Sequence, residues 1–333
     1  MQVPLPQQRG SSVIWNSFMV ALAEMVPWTP AQRDSAQPRL ILRPVVQRPC
    51  HSHGPRHTLT GDARLKSTDR EWERWGALDP YFGVLTDPRF RAVALTDDAK
   101  ADFFESGRGH AMHVLHLCRH HFAPDFKPDS VLDFGCGVGR VLIPLAHIAS
   151  RAVGMDISPS MLAEARRNAD ARNAGHVELV VSDDTLSQAQ GQFDLVHSCI
   201  VLQHIETERG RLLFDQLVRK VKPGGFGAIQ VTFGLDRFPD TFGQPPPPVP
   251  PSLLRQARQQ ARQLLTVTTA GAREAEQQDD AAGVRDPEMQ MNLYNLSELM
   301  YVLHHAGVRN MHTQLTDHGG VVGAFIVFGR PVH

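Results

Sequence analysis

The stretch Val131-Leu132-Asp133-Phe134-Gly135-Cys136-Gly137-Val138-Gly139-Arg140 follows an apolar, strand-like run and opens a helix-like one. Glycine has no Cβ, so Gly135, Gly137 and Gly139 allow a sharp turn and a close approach of backbone to ligand, and Asp133 adds a fixed acceptor two residues ahead of the first glycine. A dinucleotide-binding turn carries glycine at its first, third and sixth positions. Here the sixth position is Arg140 and the third glycine comes one residue early, at Gly139. Among other groups able to do chemistry, His204 has an imidazole whose ordinary pKa suits proton abstraction from a hydroxyl or an ammonium. His113, His116 and His120 recur at helical spacing. One helix seldom supplies a full coordination set, and no thiolate or carboxylate cluster stands beside these histidines in sequence, so no metal is expected.

The glycine spacing suits a loop around the amino-acid moiety and ribose of S-adenosylmethionine better than a pyrophosphate cradle. In this the segment resembles the class I S-adenosylmethionine-dependent methyltransferases, and four later segments are similar to that family in the same order: Val153-Gly154-Met155-Asp156-Ile157-Ser158, Val180-Val181-Ser182-Asp183-Asp184, Phe193 through Ile205, and Val221-Lys222-Pro223-Gly224-Gly225-Phe226. The resemblance covers roughly residues 130–234, with the C-terminal hairpin matching in outline. It implies that S-adenosylmethionine is bound, and S-adenosylhomocysteine released, by Asp133, Gly135, Cys136, Gly137, Gly139, Asp156, Ile157 and Ser198. Asp156 would accept both ribose hydroxyls, a role for which a carboxylate has two oxygens, and Asp183 or Asp184 would accept from the adenine amino group. Where relatives carry a cofactor lid, Arg108 would hold the methionine carboxylate or sit on the surface. There too Tyr81 and Phe82 would meet the sulfonium or pack in the core. Cys199 and Gln203 fall on the path toward the acceptor, and His204 is either a catalytic base or a structural residue.

The acceptor is then an oxygen or nitrogen of a small molecule or peptide, methylated by in-line displacement. No Asn-Pro-Pro-Tyr or Asp-Pro-Pro-Tyr follows strand four, which disfavours amide and exocyclic base nitrogens, and Ser198 rather than proline precedes Cys199. Two alternatives stay open: a cofactor-binding but catalytically silent partner protein, and a nicotinamide-dependent oxidoreductase.

These groups need a scaffold, and the hydrophobic pattern supplies one. Short apolar runs near 130–134, 151–155, 176–181, 193–199 and 226–233 alternate with amphipathic segments, which argues for parallel strands joined by crossover helices. A helix from Leu296 to Ala306 and two strands around Asp317-His318-Gly319-Gly320 close the chain. The expected fold is a Rossmann-like, doubly wound, seven-stranded α/β sheet, mostly parallel, with one antiparallel strand in the C-terminal hairpin. Residues 1–68, rich in Arg, Pro, Gln and Ser, read as a disordered extension. Residues 69–128 read as a helical lead-in and cofactor lid, and 129–333 as the methyltransferase domain, with an insertion at 238–286 that includes the run Pro245 to Pro248. The 333 residues, 42% hydrophobic with a formal net charge of −1, suit a globular chain without a field for nucleic acid or an anionic membrane. Four scattered cysteines suit a reducing, cytoplasmic compartment, and no apolar run is long enough to span a bilayer.

Overall fold

The computed structural model describes residues 65–246 and 286–332. The extension read over 1–68 and the insertion read over 238–286, with its proline run, therefore fall largely outside the described residues. Seven strands form a single sheet: β1 (Ser130–Phe134), β2 (Arg151–Asp156), β3 (Glu178–Val181), β4 (Phe193–Ser198), β5 (Val221–Leu235), β6 (Met311–Asp317) and β7 (Val321–Gly329). Their order is β3-β2-β1-β4-β5-β7-β6. The first five are mutually parallel, and β7 runs antiparallel to both β5 and β6. This is the doubly wound sheet expected from the strand and helix alternation. Strand order reverses between β1 and β4, and in open α/β sheets ligands bind in the crevice at such a switch point.

The central strands read as near-continuous apolar runs because both of their faces are covered. Successive side chains alternate between faces. Val131, Leu195, Ala228 and Val327 enter one core layer, while Leu132, Val196, Ile229 and Ile326 enter the other. The first layer is closed by α1 (Leu65–Leu78), α2 (Pro80–Val84), α3 (Asp97–His121), α4 (Leu142–Ala146) and α5 (Pro159–Ala171), and the second by α6 (Thr207–Lys220) and α7 (Leu296–His305). Among the described residues no helix is long and apolar enough to cross a membrane.

Helix ends follow local chemistry. Ser158 Oγ accepts from Met161 N at 3.0 Å, and Pro159 stands at the next position, where no N–H is required. Pro144 is tolerated within α4 because the first turn has no intrahelical partners for its donors. α3 begins at Thr96, whose Oγ1 accepts from Ala99 N, carries Asp97 and Asp98 in its first turn and ends on Arg119, His120 and His121, the charge arrangement that complements a helix dipole.

One junction holds α6 against the loop beyond β4. The Tyr294 hydroxyl lies 2.8 Å from the carbonyl oxygens of both Leu202 and Ile205, and Gly210 leaves the space its ring occupies: a Cβ there would stand 1.7 Å from Tyr294 Oη. Gly210→Ala gains about 1 kcal/mol of helix propensity. Overpacking and displacement of a buried, hydrogen-bonded hydroxyl cost more, so a net loss of about 1–3 kcal/mol is expected. Thermal unfolding should show a midpoint lowered by several degrees; an unchanged or raised midpoint would contradict this packing.

Candidate active site

The turn after β1 shapes the crevice. Gly135, Gly137 and Gly139 have φ of +72°, +51° and +89°, in the left-handed region that L side chains avoid. Space is equally restrictive, since a Cβ on Gly135 would lie 2.3 Å from Val201 Cγ2 and one on Gly137 2.6 Å from Val84 Cγ2. Gly135 N and Cys136 N both donate to Met155 O of β2, at 2.7 and 3.0 Å, so the loop is tied to the adjacent strand end. Asp156, at the end of that strand, accepts from Gly137 N at 2.8 Å through one oxygen and from Ser158 N at 2.9 Å through the other. Burial pushes its carboxyl up to about 6, against the lowering effect of those backbone donors.

Asp133, Gly135, Cys136, Gly137, Asp156, Ile157, Cys199 and His204 all line this crevice. Gly139 shapes the turn from behind, against Ile143. Several other candidates lie elsewhere, each for a physical reason. Asp183 spends its carboxylate on its own turn, accepting from Thr185 N and Oγ1 and from Ser187 N and Oγ. Burial opposes ionisation of this group, but the Ser187 and Thr185 bonds prevail and bring it down to about 2. Asp184 pairs with Arg209 Nε at 2.6 Å. Ser198 is fully buried on the face of β4 opposite His197. The Gln203 amide is engaged by Thr232 Oγ1 and by His204 Nε2.

Of its two expected places Arg108 takes the surface: it is exposed on α3 and pairs with Glu105 three residues back. Tyr81 and Phe82 likewise do not face the crevice. The Tyr81 hydroxyl donates to Glu164 Oε1 at 2.5 Å or Asn168 Oδ1 at 2.9 Å, and its ring packs edge-on against Phe103. Phe82 packs on Trp75 beneath the Arg91 guanidinium, 3.4 Å from its ring centre. His113, His116 and His120 do not converge: His113 Nε2 lies 2.8 Å from Gln314 Oε1, while His116 stacks on His120.

His204 is buried against the Trp72 ring, with centroids 4.8 Å apart. Its Nδ1–H donates to Gln290 O at 2.8 Å, and its Nε2 accepts from the Gln203 amide at 3.2 Å. Burial drives its pKa down to about 4, only partly offset by the Gln290 carbonyl. Both nitrogens are engaged and burial lowers the basicity of the ring, which suits a wall better than a base.

Other residues complete the site. Arg140 lines it at 7% exposure. Among the described residues its Nη1 donates to Ser106 Oγ at 3.4 Å, and its Nε has no hydrogen-bond partner. α3 comes this close because Gly107 has no Cβ, which would otherwise fall 2.0 Å from Arg140 O. His197 faces the crevice from β4, its Nδ1 2.7 Å from Asp133 Oδ1 and its Nε2 2.9 Å from His110 Nε2. Asp69 of α1, Arg209 of α6 and Asp184 form an ion-pair network at the rim. Glu73 of α1 accepts from Ser158 Oγ, Ser160 N and Ser160 Oγ, tying α1 to the start of α5. Arg140 was visible in sequence as the residue closing the glycine turn, whereas the pairing of His197 with Asp133 depends on strand register, Asp133 opposite His197, which no sequence spacing reveals.

Part of the chain is similar to known proteins. Residues 131–225 match the family described as a methyltransferase domain. An uncharacterized methyltransferase of Synechocystis is 33% identical over 99 residues, 30% of this chain and 45% of that protein. The mitochondrial ubiquinone biosynthesis O-methyltransferase of Schizosaccharomyces pombe is 29% identical over 158 residues, 43% of this chain and 57% of that one. The chain thus spans about half the length of these curated relatives. Among solved structures, magnesium protoporphyrin IX methyltransferase from Synechocystis with bound S-adenosylhomocysteine superposes with a TM-score of 0.45 at 18% identity, covering 76% of this chain and 98% of that one.

The neutral, doubly bonded state of His204 is directly measurable. Nitrogen NMR of the imidazole should show the Nδ1–H tautomer persisting as pH falls through about 6.5, where an ordinary histidine protonates. Protonation near that pH would restore His204 as a candidate base.

Proposed function

The chain carries a class I S-adenosylmethionine-dependent methyltransferase domain, and from this premise we propose that it transfers the methyl group of S-adenosylmethionine to an oxygen or nitrogen of a small-molecule or peptide acceptor, releasing S-adenosylhomocysteine. The observation that carries this reading is the strand-to-helix turn of Gly135, Gly137 and Gly139 beside a buried carboxylate, Asp156, at the switch point of the sheet. A close backbone approach and a carboxylate with two acceptor oxygens support the binding of a nucleoside with a bulky sulfonium tail.

In this reading the residues that meet the cofactor differ in part from those expected from sequence. Asp156 accepts the ribose hydroxyls with the lone pairs left over from Gly137 N and Ser158 N. Arg140, buried and short of partners, takes the methionine carboxylate in place of Arg108, since an unpaired guanidinium out of water is costly and an incoming carboxylate relieves that cost. Ser182 and Ile157 border the adenine end, with Asp184 held at the rim by Arg209. Trp72 of α1 and the loop at Ile200 to Ile205 close the crevice on the acceptor side.

The chemistry asked of the protein is chiefly placement. A bond forms between the acceptor heteroatom and the methyl carbon as the carbon–sulfur bond opposite it breaks, and the sulfonium becomes a neutral thioether. Holding donor and acceptor in line supplies much of the acceleration. With Nδ1–H given to Gln290 O, Nε2 taken up by the Gln203 amide and basicity lowered by burial, His204 makes a weak base in this reading, so acceptors that ionise easily, or a second activating group, fit the site best. An O-methyltransferase among the relatives supports an oxygen acceptor, and ribosomal protein L11 methyltransferases among them keep a peptide acceptor in view.

Incubating the full chain with methyl-labelled S-adenosylmethionine and fractionated metabolite and peptide extracts tests the proposal. Label should appear in a covalent product and S-adenosylhomocysteine should accumulate in equal amount, with both lost in Asp156→Ala. Cofactor bound without transfer to any fraction would point instead to a catalytically silent partner protein.

A further inference from the structure

We infer that His110, His197 and Cys199 form a binding site for one zinc-class divalent metal ion, open at its fourth position toward the crevice. Their ligating atoms, Nε2 of the two imidazoles and Sγ of the cysteine, lie within 4.8 Å of one another. Among the described residues this is the one group of three or more such side chains so arranged. They come from separate elements, His110 from the middle of α3, His197 from β4, and Cys199 from just beyond it. The convergence is therefore tertiary, which is why helical spacing at His113, His116 and His120 did not disclose it.

The three atoms converge but must rearrange around a tetrahedral ion: the most distant pair, up to 4.8 Å apart, has to close by as much as about 1.2 Å. Zinc binds imidazole nitrogen at about 2.0–2.1 Å and thiolate sulfur at about 2.3 Å, which sets neighbouring ligand atoms roughly 3.3–3.6 Å apart. The two Nε2 atoms are 2.9 Å apart and need to separate by only about 0.4 Å to reach that spacing. Asp133 Oδ1 accepts from His197 Nδ1 at 2.7 Å. This is the carboxylate–imidazole arrangement that fixes a metal-ligating histidine in its tautomer and orientation, leaving Nε2, now facing His110 Nε2, as the coordinating atom. Two imidazoles and one sulfur suit zinc or cobalt better than magnesium or calcium. The charges also balance: a dication meets the Cys199 thiolate and the Asp133 carboxylate, leaving the guanidinium of Arg140 for an anionic group of a ligand. Three protein ligands with one open position is the pattern of a reactive rather than a structural zinc site.

His197 and Cys199 both line the crevice, so the open position faces the space where an acceptor would lie. On the methyl-transfer reading, which this step rests on, an acceptor hydroxyl or thiol would coordinate there and lose its proton to solvent. Its heteroatom would then form the bond to the methyl carbon as the carbon–sulfur bond breaks. This supplies the activation that His204 does not. Binding of the ion itself displaces the Cys199 thiol proton to buffer, one proton per metal.

The test needs neither cofactor nor acceptor, so its outcome is separate from that of methyl transfer. The full chain, stripped with chelator, is titrated with cobalt(II) alone and followed by absorption. The expected result is one equivalent bound, with the visible bands of four-coordinate cobalt and a near-ultraviolet sulfur-to-cobalt charge-transfer band. Cys199→Ser should remove the sulfur band, His110→Ala should remove the four-coordinate bands, and Asp133→Asn should weaken binding roughly 10- to 100-fold. Thermal unfolding reports whether each variant is folded; if Cys199→Ser is not, Cys199→Ala serves for the same band. No binding, a spectrum without the sulfur band, or a wild-type spectrum in the Cys199 variants would overturn the assignment.

Discussion

The hydrogen bond between Asp133 and His197 links the two strands on which the crevice depends. β1 and β4 lie side by side at the point where strand order reverses, and their register sets Asp133 directly opposite His197, with both side chains on the same face. Both are almost wholly withdrawn from water. A carboxylate in such surroundings is tolerable only if it is bonded, and the imidazole N–H at 2.7 Å provides that bond. The glycine turn starts two residues beyond Asp133, so the carboxylate that anchors the strands also fixes where the ligand-binding backbone begins. His197 in turn reaches His110, and thereby couples the sheet to the long helix that carries Gly107 and Ser106 against Arg140.

The helices ahead of the sheet are held to this centre by polar ties rather than by apolar packing alone. Glu73 binds Ser158 and Ser160 at the start of α5, so the same serine that caps that helix also anchors α1. Arg209 spans Asp69 and Asp184, joining α1, α6 and the loop after β3. Tyr81 reaches Glu164 and Asn168. Partly buried networks of this kind hold direction as well as position, because each donor must meet a particular acceptor. Trp72 is placed over His204 as a result, and the crevice gains a wall from an element far from it in sequence.

The sheet was legible in sequence because its central strands are apolar on both faces and are separated by helices with clear caps, as at Ser158 and Asn295. The turn that shapes the crevice was legible for a related reason: three closely spaced glycines mark a backbone path that other residues rarely follow. The remainder depended on choices that spacing does not encode. Arg108 and Arg140 are both arginines near the crevice in sequence terms, but a helix face turns one to solvent beside Glu105 and a close helix approach encloses the other. Asp183 or Asp184 was read as the adenine contact, and the hydroxyls at Thr185 and Ser187 turn the Asp183 carboxylate onto its own loop, a local pattern the sequence does carry. The convergence of His110 with His197 and Cys199 required the register of the sheet and the packing of α3 upon it.

Central to the proposed function is Asp156, the carboxylate proposed to bind the ribose, which is buried and held up to about 6. Ribose hydroxyls donate to the ionised form, so binding should tighten as pH rises through that value and level off above it. The most direct measurement is calorimetric titration of the full chain with S-adenosylhomocysteine across the range from about pH 5 to 8. One equivalent should bind, with affinity roughly tenfold weaker at about pH 5 than on the plateau above about pH 7, and with NADH unable to displace it. Affinity independent of pH, or displacement by NADH, would contradict the assignment of this crevice to S-adenosylmethionine.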